Sequence, residues 1–91
     1  MEWSDATLES NEPIAPGLHR LGLRVDDEVA RAFHAPGQYH RVRVGDGPGG
    51  IFALASAPGT GRFEYLVRAR GAVAEAWTAL SAGHRVQVTR P

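Results

Sequence analysis

The side chains of this chain best suited to chemistry are four histidines, ten arginines and a run of glycines. His19, His34, His40 and His84 show no short spacing of the kind that metal ligands adopt. There is no cysteine, which excludes disulfides, thiolate metal sites and thiol catalysis. No Ser/His/Asp set and no paired-carboxylate site can be built from the spacing, so neither a catalytic residue nor a metal is expected. Arg62, Arg68 and Arg70 lead up to Gly71, and Arg41 and Arg43 share one face of an alternating run. The simplest assignment for them is the solvated outside of an arginine-rich, lysine-free protein. Gly45-Asp-Gly-Pro-Gly-Gly50 lacks the Lys-Ser/Thr pair of a phosphate loop, contains Pro48 and joins two strand-like runs, so it is a hairpin loop.

The elements that must position these residues are mostly strands. Short apolar–polar alternations punctuated by Gly and Pro argue for a β domain. Residues 6–10 form a weak first strand, and Asn11 to Gly17, with two prolines, is expected to connect it to the next. Leu18 to Val25 places Leu21, Leu23 and Val25 on one face. Asp26 to Ala35 is polar and then mixed, with room for one helical turn. Gln38 to Val44 turns His40, Val42 and Val44 to one side and Tyr39, Arg41 and Arg43 to the other. Ile51 to Ser56 is the next strand, and Phe63, Tyr65 and Val67 alternate in the one after it. Only about 72–82 has helical period, with Val73, Ala76, Trp77 and Leu80 on one stripe, Gly83 as a C-terminal cap and Trp77 as a core plug. His84 to Thr89 closes the chain. His40, on an inward strand position, is expected to be partly buried and hydrogen-bonded to backbone.

Ninety-one residues make one domain, 1–91, burying roughly 60–65% of its unfolded-chain surface. The apolar fraction of 43% argues against disorder, and no apolar run approaches the ~20 residues of a membrane span. Ten arginines balance ten acidic residues, so no basic face points to nucleic acid. The acidic start, Met1-Glu-Trp-Ser-Asp, lacks the character of a signal peptide, and a cytoplasmic protein is expected.

Four segments in register resemble the ferredoxin–NADP reductase family. Phe33-His-Ala-Pro-Gly-Gln-Tyr39 is similar to the family's Pro-Gly-Gln-Tyr start of a barrel strand. Gly50 to Pro58 is similar to its Arg-x-Tyr-Ser-x-Ala-Ser-x-Pro flavin signature. Phe63 to Gly71 with the following helix resembles its strand, glycine turn and phosphate-facing helix. Gly83-His-Arg-Val-Gln-Val-Thr-Arg-Pro91 resembles the strand that closes its flavin domain. The resemblance implies an all-β, six-stranded antiparallel Greek-key barrel with one α-helix across an end, and FAD or FMN as the cofactor if there is one.

On that resemblance the degenerate flavin site comprises Gly50, Phe52, Ala53, Leu54, Ser56, Arg68, Gly71, Ala72 and Ala74. Gly50 stands where the family has the arginine that pairs with flavin phosphate, Phe52 where it has tyrosine, and Ala53 where it has the serine that reaches the flavin ring. Ala74 replaces the serine or threonine of the pyrophosphate-binding turn, leaving only backbone amides. Losing one charged and about three neutral hydrogen bonds costs roughly 3–7 kcal/mol, or about 10² to 10⁵ in affinity. The family's nucleotide domain begins just beyond the residue matching Pro91, so this stretch alone is not expected to carry out the family reaction. Three readings follow from the resemblance: a stand-alone barrel serving as a partner-binding or regulatory module, a flavin subunit whose nucleotide domain sits on another chain, and a piece of a longer reductase. The first implies a protein partner or self-association, including a homodimer that covers apolar surface the missing domain exposes.

Overall fold

The computed structural model describes residues 2–91 and consists of six antiparallel strands and two short helices. The strands are β1 (Ser4–Ala15), β2 (Leu18–Arg24), β3 (Tyr39–Arg43), β4 (Gly50–Ala53), β5 (Arg62–Arg68) and β6 (Arg85–Val88). The helices are α1 (Asp27–Arg31) and α2 (Ala72–Thr78). The strands are hydrogen-bonded in the order β4-β3-β6-β1-β2-β5.

β1 extends through the stretch expected to be a connection. Its first residues pair with β6 (Ala6 opposite Val86), and from Thr7 onward it pairs with β2 (Thr7 opposite Arg24, Ala15 opposite Leu18). A register shift between Leu8 and Ser10 marks the point where β1 leaves β6 and continues along β2 alone. Beyond that point one edge of β1 is free of ladder bonds, which is why Pro13 is tolerated inside a strand. Two prolines signal a loop only where both edges of a strand need their N–H groups.

The barrel is not closed by a continuous ladder between its end strands. β4 and β5 meet through one backbone bond, Ala55 N–H to Glu64 O (2.8 Å), and through Ser56 Oγ, which accepts from Glu64 N–H (3.1 Å). Side chains fill the remaining gap. The inward alternation of β5 buries Phe63, Tyr65 and Val67, and that of β2 buries Leu21 and Leu23. Trp77 of α2 is fully buried, as expected of a core plug.

α1 is the helical turn for which Asp26 to Ala35 had room, and Asp26 caps it: its carboxylate accepts from Val29 N–H at 2.8 Å. The longer helix differs from the expectation. α2 stops at Thr78 rather than running to 82, and Gly83 is not its cap but part of the turn into β6, with φ of 97°. A residue distant in sequence captures the helix's last carbonyl and one just beyond it. Asn11, on the free edge of β1, donates to Thr78 O (2.9 Å) and Leu80 O (2.8 Å), while its own carbonyl accepts from His19 Nδ1–H (2.7 Å). Asn11→Ala should cost about 1–3 kcal/mol by leaving these carbonyls unsatisfied. Urea unfolding should show a lower midpoint with an unchanged slope, and no loss would mean that solvent caps α2 equally well.

Candidate functional site

Two grooves adjoin β4. The first lies between β4, the end of β5 and the start of α2, has a volume of about 370 Å³, and is lined by Gly50, Ile51, Phe52, Leu66 to Arg68, and Arg70 to Ala74. Six of the nine site residues expected from the sequence converge here: Gly50, Phe52, Arg68, Gly71, Ala72 and Ala74. The other three lie elsewhere. Ala53 is exposed, Leu54 is buried in the core and Ser56 fastens the corner between β4 and β5.

Period-two alternation turns Gly50 and Phe52 to the same side of β4, and Phe52 does not stand free there. Its ring is half-buried and meets Trp77 edge to face at 4.9 Å between centroids. It also leans over Gly50. A Cβ at Gly50 would lie 3.0 Å from Phe52 Cε2 and 3.3 Å from Val73 Cβ. The place where a longer side chain at 50 would start is therefore filled by the ring two residues on.

The opposite wall already serves one carboxylate of the protein's own. Gly71 N–H, at the start of α2, donates to the Glu75 carboxylate (3.1 Å). The helix supplies its own anion, in the position where free N–H groups and the helix dipole favour negative charge. Sequence reading missed Glu75; its signal was an acidic residue four positions after the glycine that opens the helix. Arg68 and Arg70 have no acidic partner among the described residues, so the groove keeps positive charge at its rim.

The flavin implied by the fold fits these residues poorly. Its phosphates would meet a phenyl ring where the family has a guanidinium and a carboxylate on an N–H group, with two exposed arginines as the remaining attraction. No step is derived through it. Among the described residues no group of three or more His, Asp or Glu side chains is placed to hold a metal ion.

The second groove lies on the outer face of β3 and β4, has a volume of about 570 Å³, and is lined by Gly37 to Arg41, Ile51 and Thr89 to Pro91. Behind it sits His40, bonded to backbone as expected but more deeply buried than the partial burial expected, and bonded through both ring nitrogens. Thr89 O can only accept, so His40 Nδ1–H donates to it (2.7 Å), and Nε2 is then left to accept from Tyr65 O–H (2.6 Å). The imidazole is neutral in this arrangement. Burial lowers its pKa below the ordinary value near 6.5, against the raising effect of the Thr89 carbonyl. Burial likewise pushes the Tyr65 phenol well above its usual range, so it stays a donor.

The sequence matches no family model and no curated protein. The fold does match solved structures. A ferredoxin NADP+ reductase from Neisseria gonorrhoeae, solved with bound FAD and NADP, superimposes on 100% of this chain with a TM-score of 0.84 at 12% identity. A siderophore-interacting protein from Acinetobacter baumannii also covers 100% (TM-score 0.78, 17% identity). The cytochrome b5 reductase domain of Ulva prolifera nitrate reductase covers 99% (TM-score 0.75, 16% identity). This chain spans 38%, 42% and 40% of those three. It has the barrel fold of the ferredoxin–NADP reductase type. No helix among the described residues is long and apolar enough to cross a membrane.

The neutral His40 gives a pH dependence of defined sign. With the folded pKa below 6.5, unfolded chains bind the proton first, so His40's contribution is fully present above about pH 6.5 and is lost as pH falls through the folded value. Urea unfolding at a series of pH values should show stability falling on acidification below 6.5, and the slope from this group should vanish in His40→Leu. A wild-type profile that rises on acidification over that range would contradict the neutral assignment.

Proposed function

We propose that this barrel has given up tight flavin binding and works as a binding or regulatory module of the flavin-reductase type, without catalysis of its own. One observation carries the reading: a side chain at position 50 would meet the Phe52 ring, and the Gly71 amide already serves the Glu75 carboxylate. To make the contacts at position 50 and at the Gly71 amide, a flavin must displace the first and compete with the second. A module of this kind acts through a protein partner or a second copy of itself.

A second reading has one feature in its favour. Arg68 and Arg70 line an open groove beside Gly71, which suits a subunit that holds flavin weakly until another chain completes the site. Both readings leave nucleotide binding and hydride transfer to residues outside this domain.

The experiment is a flavin titration. The purified protein should be colourless, with a Kd for FAD no tighter than about micromolar, given the roughly 3–7 kcal/mol of absent contacts. Gly50→Arg combined with Phe52→Tyr, Ala53→Ser and Ala74→Ser should tighten binding by about tenfold or more. Gly50→Arg alone should gain less, because the Phe52 ring stands in its path. A yellow wild-type protein with stoichiometric flavin after gel filtration would overturn the first reading in favour of the second.

A further inference from the structure

We propose that the seam between β4 and β5 takes an extended, acidic peptide of a protein partner, which adds to the edge of β5 as an antiparallel strand. The inference rests on the reading of this barrel as a binding module and names the kind of partner. β4 and β5 are the two end strands of the sheet, joined by a single backbone bond, Ala55 N–H to Glu64 O.

Period-two alternation fixes which backbone groups face the seam. On β5 and its flanks, odd-numbered residues turn to β2: Ala69 N–H donates to Gly17 O, and Gly61 O accepts from Val25 N–H. Glu64 uses its N–H and its carbonyl across the seam, so Leu66 and Arg68 direct their backbone groups there too. On β4 the even-numbered residues turn to β3, since Leu54 N–H donates to Gln38 O and Leu54 O accepts from Gly37 N–H. Ile51 and Ala53 therefore face the seam from its other side. Leu66 N–H, Leu66 O and Arg68 N–H have no partner among the described residues, while Arg68 O is taken by Arg70 N–H at 2.8 Å. An unpaired strand edge of this kind is a template for a further strand. The bonds it offers involve neither a side chain at position 50 nor the Gly71 amide, so Glu75 does not compete for them.

The side chains select the peptide. Leu66 is 55% exposed and Ile51 57%, and both line the groove of about 370 Å³ that the seam opens into. Arg68, the next outward residue on β5, and Arg70 beyond it have no acidic partner among the described residues. Glu75, at the same end, turns its carboxylate to Gly71 N–H and pairs with neither. A strand laid antiparallel on β5 places its residues directly opposite these side chains, where unlike charges and apolar pairs are favourable. The matching pattern is an acidic residue opposite Arg70, another opposite Arg68 and an apolar one opposite Leu66, each two positions apart.

The test is a titration of the protein with the end-blocked peptide Thr-Glu-Thr-Glu-Thr-Val-Thr, followed by amide chemical shifts. Saturable binding with shifts at residues 51–53 and 64–70 is expected. Methylating the backbone nitrogen of the peptide's valine, which faces Leu66 O, should weaken binding by at least about tenfold. Exchanging both glutamates for glutamine should weaken it about fivefold, the worth of two exposed ion pairs. Arg68→Gln should weaken the glutamate peptide about twofold, while Arg41→Gln on the outer face of β3 should not. Overlaid amide spectra establish that the variants remain folded. No saturation at millimolar peptide, equal binding of the methylated or the glutamine peptide, or shifts confined to residues 37–41 would each overturn the proposal. Shifts at residues 64–70 that follow protein concentration without peptide would give the edge to a second copy and overturn it as well. No flavin enters these titrations, so a colourless protein that ignores the peptide overturns this inference alone, whereas a yellow one overturns the module reading beneath it.

Discussion

A column of rings through the barrel interior holds this domain together. Phe33, Phe63, His40, Tyr65, Trp77 and Phe52 follow one another with centroids 4.9 to 5.8 Å apart, four of the five contacts edge to face and the His40–Tyr65 pair stacked. The column crosses from the loop after α1 through β5 and β3 to α2 and ends on β4. It spans the seam between β4 and β5, where only one backbone bond closes the sheet. Side-chain packing does there what a hydrogen-bonded ladder does elsewhere in the barrel. Each such aromatic pair contributes about 0.5–1.5 kcal/mol beyond its buried area, so a small domain draws much of its integrity from this one feature. The neutral state of His40 belongs to the same constraint, since a charged imidazole in the middle of the column would leave the Tyr65 proton without its acceptor.

The end of the column decides the character of the groove between β4 and α2. A tyrosine at position 52 would carry a hydroxyl that seeks a polar partner, whereas phenylalanine packs its whole ring against Trp77. Once the ring lies there, Gly50 can have no side chain without pushing on it. Gly50 and Phe52 are thus coupled positions, and the buried Ala74 lines the same groove. On the other wall, the Glu75 carboxylate takes the Gly71 amide. The outer face of β3 and β4 went a different way, keeping its apolar and cationic side chains exposed.

Much of this architecture is legible in the sequence. Alternation located the core positions of β2, β3 and β5, and helical period found α2 with Trp77 inward. The failures have physical causes. The length of β1 was hidden because prolines are compatible with a strand whose one edge is free. The end of α2 was misjudged because Asn11, distant in sequence, supplies a cap that no local pattern encodes. For the site, six of the residues singled out by motif register line one groove, because their spacing along β4, β5 and the start of α2 fixes where they meet. It could not show that Phe52 turns inward, since half-burial depends on what Trp77 does twenty-five residues later. Glu75 was overlooked because a carboxylate in a first helical turn is ordinary until it is seen to reach back to the Gly71 amide.

The central claim is that Phe52 is held by the protein rather than offered to a flavin. Its most direct test is the set of nuclear Overhauser contacts from the Phe52 ring, recorded with and without one equivalent of FAD. Contacts to the Gly50 α-protons and the Trp77 indole that persist unchanged with FAD present are the predicted result. Loss of those contacts, with the ring swung out and new contacts to the isoalloxazine, would contradict it.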